Sequence, residues 1–221
     1  GAGIDQPAGQ CRRNQRYGGL VKLVLLVGKM NRATAPGHQA QLGGVGGDEG
    51  YLPEDADRIG EDHGGVDQAV YAYSADDYDW WVRSMDRDFQ PGLFGENLTI
   101  QGLPSNMVIG DRLLIGDVVL EATSARIPCK TLAARMQDRG FGMLFRKAER
   151  PGVYFRVLNT GEVQAGDAVT LVESDAGTVT VLDLFRFAYE TRHDAERLRR
   201  FLDAPIAERV RTQVEAQLAK L

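Results

Sequence analysis

The spacing of apolar residues changes character about four-fifths of the way along this chain. Between residues 69 and 172 they fall in short runs separated by glycine and aspartate. Runs of four to eight residues rich in Val, Ile, Leu and aromatics, bounded by turn residues, predict strands. These cover 69–73, 97–100, 112–115, 118–123, 152–158 and 168–172. The breaks Gly110-Asp111, Gly116-Asp117, Thr160-Gly161 and Gly166-Asp167 predict hairpin turns in a sheet or barrel. Ser74 reads as the N-cap of a short amphipathic helix, with Asp76 and Asp77 in its first turn and Tyr78, Trp80 and Trp81 behind them. A further helix, 130–136, opens just after Pro128-Cys129.

From Leu182 the period becomes 3.6. Leu184, Phe187 and Ala188, then Ala195, Leu198, Phe201 and Leu202, then Ile206, Val210, Val214 and Leu218 form the apolar stripes of about three helices. Asp203, before Ala204-Pro205, reads as an N-cap. Ahead of residue 60 the pattern is weak. Residues 20–27 read as a buried strand, and 30–52, with Gly43-Gly44-Val45-Gly46-Gly47 at its centre, as a mobile or disordered loop. The expectation is a mainly β fold: a poorly patterned segment 1–55, a barrel domain 56–175 with a few short helices, and a small helical domain 182–221.

Composition narrows the function. The chain has 221 residues, 26 Lys and Arg against 31 Asp and Glu, and a net charge of −5. A mildly acidic surface is a poor match for a nucleic-acid polymer, whose binding draws on basic side chains. The two cysteines, Cys11 and Cys129, share no spacing that suggests a disulfide framework or a zinc site. The longest apolar run, 20–27, is broken by Lys22 and is too short to span a bilayer. These features predict a soluble cytoplasmic protein with no membrane partner.

Four segments could carry chemistry. Cys129 lies in Ser124-Ala125-Arg126-Ile127-Pro128-Cys129-Lys130-Thr131, between a strand and a helix. Helix-start N–H groups and the cations Arg126 and Lys130 would favour a thiolate, which is a nucleophile, a soft metal ligand or a persulfide carrier. Equally, Cys129 is a core cysteine, a common role for this residue. His63-Gly64-Gly65-Val66-Asp67 is either a backbone platform for a phosphate or pterin, or a tight Gly-Gly turn. Glu96 and Asn97, after Pro91-Gly92-Leu93-Phe94-Gly95, present polar groups at the mouth of a strand, or serve turn chemistry. Arg156, two residues beyond Tyr154, faces an oxyanion pocket or faces solvent. His38 and His193 read as surface residues, and Arg192, Arg197, Arg199 and Arg200 as a solvated helix face.

In order, HGGVDQAVYAY, DYDWW, PGLFGENLTI, IGDRLLIGDVVLEATSARIPC, RPGVYFRVL and GEVQAGDAV resemble the MOSC domain family and its YiiM-like branch, and the helical tail resembles that branch's three-helix extension. The resemblance implies a pyruvate-kinase-like β-barrel holding the molybdenum cofactor, molybdopterin, with Cys129 as the molybdenum ligand and catalytic residue. It implies that the backbone of Gly64-Gly65, with Arg126 and Arg156, seats the pterin and its phosphate, and that His63, Asp67, Glu96 and Asn97 line the pocket. It further implies reduction of small N-hydroxylated bases using electrons from a redox partner, since no flavin, nicotinamide or iron–sulfur fingerprint is seen. A non-catalytic carrier of sulfur or cofactor, and a binding module with an incomplete site, are the alternatives. The resemblance also brings an association with pyridoxal phosphate and is compatible with a homodimer.

Overall fold

Seven strands close into a barrel in the computed structural model, which describes residues 21–27, 65–175 and 177–221. They are β1 (Val21–Val27), β2 (Val70–Ser74), β3 (Leu98–Gln101), β4 (Arg112–Ile115), β5 (Val118–Ala125), β6 (Val153–Asn159) and β7 (Ala168–Val172). Their order around the barrel is β1-β3-β2-β6-β5-β4-β7, and β7 pairs with β1 to complete it. Closure removes the exposed strand edges of an open sheet. The expected loop at 30–52 and the residues Cys11, His38, His63 and Gly64 lie outside the described residues.

All the pairings are antiparallel except β2 with β3. A parallel pair needs a crossover, which helix α1 (Ala75–Met85) supplies. That crossover explains why every residue of β2 is buried. One face of β2 looks into the barrel, and the other packs beneath α1 in an aromatic layer centred on Trp81. Around Trp81 lie Phe89 at 5.7 Å, Phe94 at 5.8 Å, Phe141 at 5.3 Å and Phe145 at 6.2 Å between ring centres. The two tyrosine hydroxyls of β2 are paired: Tyr71 donates to the Pro151 carbonyl at 2.8 Å and Tyr73 to the Arg150 carbonyl at 2.9 Å.

Some local expectations are corrected. Of the Gly-Asp breaks, Gly116-Asp117 alone closes a hairpin between neighbouring strands, β4 and β5. The others are loop closures: Asp111 Oδ2 accepts from the N–H of Val108 and its Oδ1 from that of Ser174, while Asp167 Oδ2 accepts from the N–H of Gln164. Strands β5 and β6 are neighbours, but helices α2 (Lys130–Arg135) and α3 (Phe141–Ala148) are inserted between them. Ser74 stands at the N-cap of α1, yet its buried hydroxyl makes no capping bond.

The last three helices are α4 (Val181–Phe187), α5 (Ala195–Asp203) and α6 (Glu208–Leu218). Thr180 and Asp183 form a capping box on α4, and Asp194 caps α5. Asp203 does not start a helix; it ends α5. Helix α6 begins five residues later because its cap comes from far away in sequence: Asp67 Oδ2 accepts from the N–H of Glu208 at 2.8 Å. The same region is pinned by a β-bulge. Strand β5 slips against β6 between Ala122 and Ser124, so Thr123 has no partner in that ladder, and its carbonyl instead accepts from the N–H of Ala207 at 3.1 Å. Among the described residues no helix is long and apolar enough to cross a membrane.

Gly152 marks where the barrel wall tolerates no side chain. Its φ is +66°, and a Cβ would lie 2.7 Å from the Ala72 carbonyl oxygen and from the rings of Tyr71 and Tyr73. We expect Gly152→Ala to cost about 3 kcal/mol through overpacking and backbone strain. Gly116→Ala, at φ +55° with open space around it, should cost only about 1 kcal/mol. Urea denaturation of the two variants checks the contrast.

Candidate functional site

Strand β5 ends at Ala125, and the chain runs through Arg126, Ile127 and Pro128 before turning into α2. The residue preceding a proline avoids helical backbone, so the link stays extended and Cys129 stands at the N-cap of α2 with φ −120° and ψ 175°. Its thiol is half-buried. Burial on its own pushes the thiol pKa up; the Leu132 N–H, the Thr131 hydroxyl, the Arg126 guanidinium and the Thr131 N–H outweigh it, and the pKa lies below the ordinary thiol range.

Arg126 is held just behind the sulfur. Its Nη1 donates to the Phe94 carbonyl at 2.6 Å, and its guanidinium lies 5.2 Å from the centre of the Tyr71 ring. Burial works against its charge, but Tyr71, Tyr154 and Cys129 more than restore it, so the pKa is raised and the cation persists beside the sulfur. Its Nε is buried without a hydrogen-bond partner. Tyr154, on β6, is also pushed up by burial and keeps its phenolic proton.

The sulfur opens onto a cavity of about 640 Å³, within the range typical of small-molecule sites. One wall is barrel: Gln68, Ala125 and Tyr154, with Ile127, Pro128 and Cys129 at the turn. The opposite wall is helical: Phe187, Glu190, His193, Arg209, Gln213 and Gln217. Gln68 is steadied by its own bond to the Ser124 hydroxyl at 3.3 Å.

The residues singled out from sequence divide into three groups. Cys129 and Arg126 come together where β5 ends: Cys129 lines the cavity and Arg126 stands behind it. Asp67 and Arg156 sit beside it as a joint between barrel and helices: Arg156 Nε is 3.1 Å from Asp67 Oδ1, and Arg156 Nη2 donates to the carbonyls of Pro205 at 3.0 Å and Ile206 at 3.3 Å. Gly65 precedes Asp67 at φ 102°, a conformation that only glycine adopts readily. Glu96 and Asn97 organise a turn and do not line the cavity. Glu96 Oε1 accepts from the Tyr78 hydroxyl, the Gly92 N–H and the Thr99 hydroxyl at 2.7, 2.6 and 2.8 Å, while its Oε2 is buried without a partner. Asn97 Oδ1 accepts from the N–H of Tyr71 at 2.6 Å, and the Asn97 N–H donates back to the Tyr71 carbonyl at 2.8 Å.

His193 is not a surface residue. Its side chain is only 9 % exposed, its ring lies 5.0 Å from that of Phe187, and it lines the cavity. The arginine cluster is solvated at Arg192, Arg199 and Arg200, but Arg197 is half-buried and bonded to Glu190 at 2.6 Å. The helical wall was missed from sequence because its residues lie about 60 to 90 positions beyond Cys129. One signal was available, the pair Gln213 and Gln217 one turn apart on a helix.

Chemically, the arrangement offers one thiol with a lowered pKa, a cation behind it and a cavity in front. Such a sulfur suits a soft metal ion. Among the described residues no three His, Cys, Asp or Glu side chains cluster as a metal site, so a metal at Cys129 would take its other ligands from groups besides these. A closed barrel with a half-buried thiol lining a cavity beside the terminal helices has the form of a small-molecule-binding domain.

The chain belongs to the MOSC domain family, whose model matches residues 60–170, and the YiiM-like 3-alpha helix domain matches residues 179–221. The MOSC family is associated with molybdenum-cofactor binding. YflK of Bacillus subtilis is 34 % identical over 137 residues, 62 % of this chain and 61 % of that protein. Escherichia coli YiiM is 30 % identical over 146 residues, 64 % and 65 % of the two chains. A protein of Gibberella moniliformis named reductase is 35 % identical over 130 residues, 56 % of this chain but 23 % of its own length. The match thus spans less than two thirds of each of these relatives. The crystal structure of YiiM from Geobacillus stearothermophilus superposes with a TM-score of 0.65 at 28 % identity, covering 70 % of this chain and 80 % of that one.

The thiol can be tested directly. In a Cys11→Ser background, we expect thiolate absorbance at Cys129 to titrate below an ordinary thiol. Arg126→Gln removes a stabilising cation, so it should move that titration upward and slow alkylation by iodoacetamide several-fold at neutral pH.

Proposed function

We propose that this protein binds the molybdenum cofactor through Cys129 and reduces small N-hydroxylated compounds, N-hydroxylated bases among them, with electrons from a redox partner. The observation that carries the reading is the half-buried, acidified Cys129 thiol opening onto a cavity of about 640 Å³. Membership of the MOSC family and similarity to a protein named reductase support it.

The residues present suit that group. Cys129 offers a single soft thiolate. Arg126, cationic behind the sulfur, favours negative charge at Cys129, and Arg209 lines the cavity as a cation for an anionic ligand group. When bound, the cofactor supplies a two-electron redox centre and a Lewis-acidic position for the substrate oxygen. The chain's own residues do the rest. Tyr154 and Phe187 flank a planar ring. Gln68, Gln213 and Gln217 offer carboxamides that both donate to and accept from a heterocycle's polar edge.

The test uses protein purified from a host that makes the cofactor. We expect molybdenum to approach one per chain in the wild type and to fall about tenfold or more in Cys129→Ala. Reduction of an N-hydroxylated purine with a reduced viologen should fall on the order of 100-fold in the same variant. Molybdenum content unaffected by Cys129→Ala would sink the reading. Cyanide-releasable sulfur on Cys129 without molybdenum would replace it with a sulfur carrier.

A further inference from the structure

We infer that His193 is the proton donor for N–O cleavage at this site, with Glu190 and Arg197 holding it in position. The inference rests on the reductase reading above and adds a catalytic residue on the wall facing Cys129. Reduction of an N–OH group takes two electrons and two protons: R–NH–OH + 2e⁻ + 2H⁺ gives R–NH₂ + H₂O. The N–O bond breaks, an N–H bond forms and the oxygen leaves as water. The electrons come from the external reductant. A group in the cavity itself can deliver a proton directly to the departing oxygen.

The titratable residues that line the cavity among those described are Cys129, Tyr154, Glu190, His193 and Arg209. Cys129 is the proposed ligand. Burial leaves the Tyr154 phenol a weaker acid than usual. Arginine does not give up its proton. Glu190 is already engaged, accepting from Arg197 Nη1 at 2.6 Å. An imidazole is the side chain that exchanges a proton readily near neutrality. Two contacts place His193: its ring lies 5.0 Å from that of Phe187 on α4, and its Nδ1 is 4.0 Å from Glu190 Oε2, a carboxylate that Arg197 on α5 anchors. Nδ1 is the ring nitrogen on the Glu190 side, and the proton transfer is assigned to Nε2. The charged groups around it are Glu190 and, through it, Arg197, with Arg209 on α6, Cys129 on the barrel side, and Arg192 and Asp194 as chain neighbours. The departing oxygen takes the His193 proton, and solvent restores it.

Cofactor-loaded wild type, His193→Gln, His193→Ala, Glu190→Gln and Glu190→Asp test this with an N-hydroxylated purine and a reduced viologen. We expect His193→Gln to keep its molybdenum and KM while kcat falls about 100-fold. The wild-type kcat should decline as pH rises, because the donor must carry its proton, and that limb should be missing from the variant. Added imidazole should restore part of the kcat of His193→Ala. Glu190→Asp should retain more kcat than Glu190→Gln. In ¹⁵N-histidine-labelled protein, the aminopurine product should shift the His193 resonance. His193→Gln with wild-type kcat and pH profile, no rescue by imidazole, or a silent His193 resonance would each overturn the assignment while leaving the reductase reading intact. A molybdenum-loaded wild type that reduces no N-hydroxylated substrate would overturn that reading and the inference with it.

Discussion

The cavity exists because one carboxylate joins two layers of the molecule. Asp67 sits on a three-residue 3-10 turn just ahead of β2. One of its oxygens caps α6 at Glu208, the other pairs with Arg156 of β6, and its carbonyl accepts from the Thr123 hydroxyl of β5. Arg156 in turn holds the carbonyls that precede α6. Without this joint the helices would have no fixed height above Cys129, and the opposite wall would lose its register. A half-buried charge can serve this way because every partner is charged or strongly polar, so the cost of desolvation is offset locally.

The β-bulge at Thr123 belongs to the same joint. A regular ladder would use the Thr123 carbonyl inside the barrel; the slip turns it outward to the N–H of Ala207. A local defect in strand pairing thus becomes the seat for the helical module. The barrel and the helices meet where β5 ends, and the chain leaving β5 carries Arg126 and Cys129 into the gap. Position and reactivity of the sulfur therefore have one origin: the turn out of β5 brings it to backbone N–H groups, and the aromatic layer beneath α1 holds Arg126 close by.

The strands, the 130–135 helix and the three terminal helices are legible along the chain because each buries one face, and burial imposes a period of 2 or 3.6. Cys129 is legible for a related reason: Pro128 before it and cations on either side are local features. Helix α3 is harder to see, since its buried pair Phe141 and Phe145 is short and set among Gly, Arg and Lys. Glu96 and Asn97 were read as ligand groups and are found closing a turn, because a carboxylate or carboxamide at a strand mouth satisfies the nearest unpaired N–H first.

The sequence by itself determined most of the element types, the change from strand to helical pattern near residue 182 and the placing of Cys129 between a strand and a helix. All three depend on neighbours within a few positions. Tertiary structure alone decided what faces that sulfur. Glu190, His193, Arg209 and the two glutamines reach it across a gap in sequence that no local period encodes. Asp67 and Arg156 gained their task from helices that begin some 140 and 50 residues later. Hydrophobic periodicity reports which face of an element is buried, not which element covers it; that pairing arises only when the barrel closes and the helices dock.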